Sequence, residues 1–180
     1  MEAESRFHIG EKASKSCQQD FNKLRQHLSI NQTSWAVRMF ESSEWPRVGL
    51  LSGKKYHLGS WTECVNTDAK TFKGQYCLVE AKFDFSHLEK PRAVGMESSA
   101  WNDLQQFHED PHQLVHLHHV YWAMCIPSSC QPSDLELSMK NIVDVVFTDY
   151  NDVAVKVKVN PKMCSVKTDD KVSFSFNLIA

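Results

Sequence analysis

The sequence predicts an α+β domain: helices first, then a largely antiparallel, disulfide-stapled β-sheet with one helix inserted among its strands. Three observations predict it. Cys17, Phe21, Leu24 and Leu28 recur at steps of four, three and four, one stripe of a helix. Val153, Val155, Val157 and Val159 alternate with Ala154, Lys156 and Lys158, and Val172, Phe174, Phe176 and Leu178 alternate with Ser173, Ser175 and Asn177. Period two is the mark of a half-buried strand. Six cysteines in 180 residues, an even number widely spaced, suit a disulfide framework in an oxidising compartment.

Taken in order, residues 1–13 have no apolar period and read as a flexible arm; residues 14–180 read as a single domain. The first helix carries Cys17 on its apolar stripe, with Lys23, Arg25 and Gln26 opposite. A second helix holds Trp35, Val37, Met39 and Phe40 and ends before Pro46, which disfavours helix at the residue preceding it. Gly49, Gly53 and Gly59 punctuate a loop-rich stretch. The middle reads as strands and turns, with partial alternation from Gly74 to Phe85. Residues 86 to 112 have little period and read as a long loop. Leu114 to Ile126, rich in aromatic and β-branched residues, is a strand candidate. Beyond Pro127, Ser133 and Glu136 have capping-box spacing, and Leu135, Met139, Ile142 or Val143, and Val146 follow at helical steps.

Composition narrows the function classes. The formal net charge of -2 gives no global field for nucleic acid or anionic membrane. No stretch approaches the roughly 20 apolar residues of a membrane span. Met1 to Ser5 are acidic and polar, unlike a signal peptide, so mature numbering, or a sequence from which the leader is missing, is expected for an extracellular, secreted chain. Asn31-Gln32-Thr33 is a glycosylation sequon, which puts Asn31 at the surface of a secreted protein.

Several strings stand in order along the chain: Trp35-Ala36 with Met39, Gly49-Leu50-Leu51-Ser52-Gly53, Leu58-Gly59-Ser60-Trp61-Thr62-Glu63-Cys64, Phe72-Lys73-Gly74-Gln75-Tyr76-Cys77-Leu78-Val79, and Cys125-Ile126-Pro127-Ser128-Ser129-Cys130. From about Cys17 to Cys164 the chain resembles the extracellular N-terminal domain of the nose-resistant-to-fluoxetine family, membrane proteins linked to uptake or transport of lipids and drugs. In that family the domain precedes a multi-span acyltransferase-like region. The sequence here ends at Ala180 without one. The resemblance implies a disulfide-bonded domain with no catalytic residues to carry over.

Each candidate chemistry has a plainer competitor. Cys64 and Cys77 flank a turn, so a hairpin-closing bridge is expected. A loop of about 14 residues would contribute roughly 3 kcal/mol in the chain-entropy model. Cys125 and Cys130, five apart around Pro127, then reach distant partners, and Cys17–Cys130 with Cys125–Cys164 is the pairing chosen among several. Zinc is the rival use of the thiols, but Cys-x-x-Cys knuckles are missing. His108, His112, His116 and His119 have helical spacing, and His112 with His116 are the pair a metal would take. Pro111 and the β-rich run beyond it favour polar strand positions instead, so no metal is expected. Ser128 and Ser129 lie outside any Gly-x-Ser-x-Gly elbow.

Phe85, Tyr121, Trp122, Phe174 and Phe176 could line a site for an apolar ligand, although any one of them is as well explained as core. The expected function is a secreted, non-enzymatic domain that binds a hydrophobic small molecule such as a lipid or carotenoid-like pigment and needs no cofactor. The alternative is a protein-interaction or oligomerisation module pairing with a like subunit. A metal-dependent or serine-type enzyme ranks third.

Overall fold

The structure, a computed structural model, describes residues 9–31, 34–44, 55–84, 119–146, 154–168 and 171–172. Helix α1 spans Lys15–Gln26 and runs into a π-helical turn, His27–Asn31; α2 follows at Ser34–Glu41. Strand β1 (Tyr56–His57) and a short α3 (Trp61–Val65) lead to β2 (Gly74–Asp84) and β3 (His119–Pro127). Helix α4 (Pro132–Val146) precedes β4 (Ala154–Thr168) and β5 (Lys171–Val172). The α+β expectation holds. The five-stranded sheet has the order β1-β3-β2-β4-β5 and is antiparallel except where β1 lies parallel to β3, so it is mixed.

The helical stripe on α1 is buried as its spacing requires, with Cys17, Phe21 and Leu24 inside. Of the residues assigned to the arm, Ile9 and Ala13 are buried, and the Gly10 N–H donates to Ser138 Oγ on α4 at 2.9 Å. The stretch around Cys64, read as strand and turn, is a helical turn instead: Ser60 caps it, its Oγ accepting from the Glu63 N–H. The capping box on α4 also shifts. Asp134, three residues after Gln131, reaches back to the Gln131 N–H at 2.9 Å. The same carboxylate accepts from the Ser14 N–H and Oγ–H at 2.9 and 2.8 Å, tying the N-terminus of α1 to that of α4. Glu136 is thereby free to accept from the Val159 N–H of β4 at 2.8 Å.

Period two along β2 divides the sheet into two faces. On the inner face Val79 opposes Trp122 and Val159, Ala81 opposes Val120 and Val157, and Cys77 opposes Met124 and Cys164. This face is core, and α4 packs against β4. On the outer face lie Tyr76, Leu78, Glu80 and Lys82. One half of it is covered by α3, whose Trp61 Nε1 donates to Ser165 Oγ.

The same parity decides the disulfides. Cys17 bonds Cys130, Cys64 bonds Cys125, and Cys77 bonds Cys164. The expected Cys64–Cys77 and Cys125–Cys164 bridges are corrected. Cys125 is registered with Tyr76, so it shares the outer face with α3 and meets Cys64 there. Cys77, one residue on, points inward to its register partner Cys164.

Strand β4 is longer than the valine alternation suggested. It continues past Val159 through a bulge at Asn160–Met163 and resumes at Cys164, which was expected between two strands. Pro161 sits in the bulge, where no ladder N–H is needed. Of the second expected strand only Val172 falls within the described residues.

Candidate functional site

Of the five aromatic residues picked from sequence, Tyr121 and Trp122 fall within the described residues. Tyr121 and Trp122 are adjacent on β3 and so face opposite sides of the sheet. Trp122 is 2% exposed, edge-on to Phe83 with ring centroids 6.4 Å apart, and among the described residues its indole N–H has no acceptor. Phe85, Phe174, Phe176, His112 and His116 lie outside the described residues, as does the side chain of Asn31, which ends the π-helical turn. Among the described residues, Ile9, Glu11, Gln18, Phe21, Asn22 and Arg25 line a cleft of about 140 Å³. That is well below the roughly 300 Å³ at which ligand pockets begin. Ser128 is occupied structurally: its Oγ accepts from the Lys73 N–H at 3.1 Å, and its own N–H donates to the Lys73 carbonyl at 2.9 Å.

The outer half-face away from α3 is different. There the registers lay side chains out in two rows across the strands. Tyr56, Tyr121, Glu80 and Lys158 form the first, from β1 through β3 and β2 to β4. His119, Lys82 and Lys156 form the second. Tyr56 and Tyr121 stack with centroids 5.3 Å apart and planes 11° from parallel. Glu80 Oε1 accepts from the Tyr121 hydroxyl at 3.2 Å and lies 2.8 Å from His119 Nδ1. Partial burial raises the Tyr121 phenol pKa above its ordinary value, and the neighbouring Glu80 carboxylate raises it further. Tyr56 is 57% exposed, and Leu58, just past the end of β1, is 49% exposed. Lys82, Lys156 and Lys158 are exposed, and among the described residues none of them forms an ion pair.

Sequence reasoning found Tyr121 here but missed Tyr56, Glu80, Lys82, Lys156 and Lys158. The lysine alternation in β4 was visible, and it read as an ordinary solvent face. Tyr56 had no signal, because it lies among glycines and pairs in parallel with a strand some 65 residues away, which no local pattern can announce.

The family strings, by contrast, acquire structural roles. Gly74 has α3 directly above it: a Cβ there would collide with the Cys64 carbonyl and stand 3.3 Å from Cys125 Sγ. Gln75 is buried, Tyr76 donates its hydroxyl to the Leu58 carbonyl at 2.7 Å, and Cys77 bonds Cys164. In the second string Cys125 and Cys130 hold α3 and α1, and the Cys130 N–H closes the turn onto the Pro127 carbonyl at 2.9 Å. The model of the nose resistant-to-fluoxetine protein N-terminal domain matches residues 17–139, which takes in both strings and five of the six cysteines. The chain belongs to that family. No curated protein and no solved structure matches it. The matched span of this nose resistant-to-fluoxetine domain covers α1 through most of α4 and both strands that carry the tyrosine stack. Among the described residues no helix is long and apolar enough to cross a membrane.

Proposed function

We propose that this domain is an extracellular, non-enzymatic binding module that meets its partner on the open outer half-face of the sheet. The observation that carries the reading is the coincidence, on one face of the sheet, of the exposed Tyr56, the Tyr56–Tyr121 stack and three lysines that form no ion pair among the described residues. Family membership and three disulfides support the extracellular setting. A sheet fixed by cross-links presents such a face with little ordering cost on binding.

The test is a binding panel of glycans, lipid vesicles and the domain itself. Each is measured with wild type, with Tyr56→Ala and with the remote Lys12→Gln. Loss of binding in Tyr56→Ala alone supports the reading; equal binding by all three proteins sinks it. Metal analysis and an active-site-serine probe should both return blanks.

A second reading, binding of an apolar small molecule, rests on Trp122, whose buried N–H lacks an acceptor among the described residues. An absorption spectrum and native mass spectrum of the secreted material would reveal such a ligand, and an empty protein in both would count against it. The sequon at Asn31 is expected to carry glycan, read as a mass loss on treatment with a peptide N-glycosidase.

A further inference from the structure

We infer that the partner of the outer half-face is a sulfated polysaccharide, held by Lys82, Lys156 and Lys158 with the Tyr56–Tyr121 stack as a platform for a sugar ring. The inference rests on the reading of that face as the binding surface and names its ligand class. Lys82 on β2 and Lys156 on β4 are directly opposite in register, and Lys158 stands two residues from Lys156 on the same face. Like charges directly opposite across strands are destabilising. Lysines on an edge strand have an ordinary use in blocking edge-to-edge aggregation. That use does not account for Lys82, which is on the central strand of the sheet. Glu80 is the counter-charge of this patch among the described side chains. Its Oε1 is shared by the Tyr121 hydroxyl and His119, and it forms no ion pair with Lys158 despite being its register partner. Among the described side chains, three ammonium groups against one carboxylate make a local basic patch on a chain whose net charge is -2. An anion bridging Lys82 and Lys156 relieves their repulsion.

The rest of the surface selects among anions. Extended along two rows, the lysines suit a polyanion better than a single phosphate. Cross-strand neighbours are about 5 Å apart, and lysines two residues apart on a strand about 6.7 Å apart. The three disulfides belong to an oxidising compartment, where sulfated glycans are the abundant polyanions and nucleic acids are not. Anionic phospholipid is concentrated on the cytoplasmic leaflet, the other side of the membrane from such a compartment. The exposed tyrosine face at the end of the first row is electron-rich and flat, the surface against which the polarised C–H groups of a pyranose ring pack.

The experiment measures binding of the intact domain to heparin, to chemically desulfated heparin and to phosphatidylserine-containing vesicles over a range of salt. Heparin should bind with an affinity that falls steeply with salt, and the desulfated polymer should not. Each Lys→Gln change at 82, 156 or 158 should lower the salt slope by roughly one. The triple variant should weaken binding by about tenfold or more while Lys12→Gln does not. Thermal stability of the triple variant should equal or exceed wild type, because a repulsion is removed and no ion pair is lost. Tyr56→Ala should weaken heparin binding at every salt concentration without changing the slope. Heparin binding that survives the triple substitution overturns both the inference and the reading of the face. Vesicle binding abolished by the triple variant, with no heparin binding, overturns the polysaccharide and leaves the face standing.

Discussion

Gly74 and Tyr76 are separated by one residue and do opposite kinds of work. Gly74 is defined by what it lacks: α3 lies so close that any side chain would meet the Cys64 carbonyl, which is backbone and cannot swing away. Gly74→Ala is therefore expected to push α3 off the sheet and strain the Cys64–Cys125 link. A fall in melting temperature and lower yield of correctly bridged protein would show it, and an unchanged melting curve would remove the argument. Tyr76 is defined by its burial, which pushes its phenol up to about 12 from the ordinary 10. The sign follows from linkage. Below pH 10 the phenol is neutral in both folded and unfolded chains, and the full contribution is present. Between 10 and 12 only the unfolded chain loses its proton, so stability falls by about 2 to 3 kcal/mol as pH rises through the folded value. Tyr76→Phe should flatten that alkaline decline. It should also cost about 1 kcal/mol at neutral pH, since the Leu58 carbonyl loses its donor. Asp134 is the other residue on which much hangs. Asp134→Ala would leave the Ser14 and Gln131 N–H groups without their acceptor, at an expected cost of about 1 to 3 kcal/mol in denaturant unfolding.

At the scale of elements, two of the three disulfides join parts that the sheet alone does not hold. Cys17–Cys130 fixes α1 to the turn after β3 across 113 residues, and Cys64–Cys125 fixes α3 to β3 across 61. Cys77–Cys164 joins β2 to β4 beside the bulge, where the ladder is interrupted. Removing Cys17–Cys130 by paired serine substitution is expected to cost up to about 5 kcal/mol in the chain-entropy model, because it closes the longest loop. Non-reducing peptide mapping should recover the three linkages, and a Cys64–Cys77 peptide would contradict the register of β2. The mistaken expectation here has a simple origin. Two cysteines flanking a turn suggest a bridge, but Cys77 lies inside a strand whose parity sends its side chain away from Cys64. The helix at Trp61–Val65 was missed for a related reason: five residues are too few for a period to emerge.

For the whole molecule, the cross-links and the mixed sheet leave one face divided: α3 covers one end, and at the other Tyr56, Lys82, Lys156 and Lys158 are exposed. Replacing Lys82, Lys156 and Lys158 together should alter recognition and leave folding intact, whereas the cysteine and Gly74 changes should do the reverse. Circular dichroism alongside a binding measurement separates the two classes. A variant set that moved both properties together would argue against an autonomous binding face.

The α+β class, α1 and its buried stripe, the valine alternation of β4, the inserted helix and the family were all legible in the residues, because each depends on local periodicity or on short strings in fixed order. The pairing of Cys64 with Cys125 and of Cys77 with Cys164 was not, and neither was the meeting of Tyr56 with Tyr121 or of Lys82 with Lys156. Those depend on which strands become neighbours and in what register. A shift of one residue in that register would turn every one of these side chains to the opposite face of the sheet.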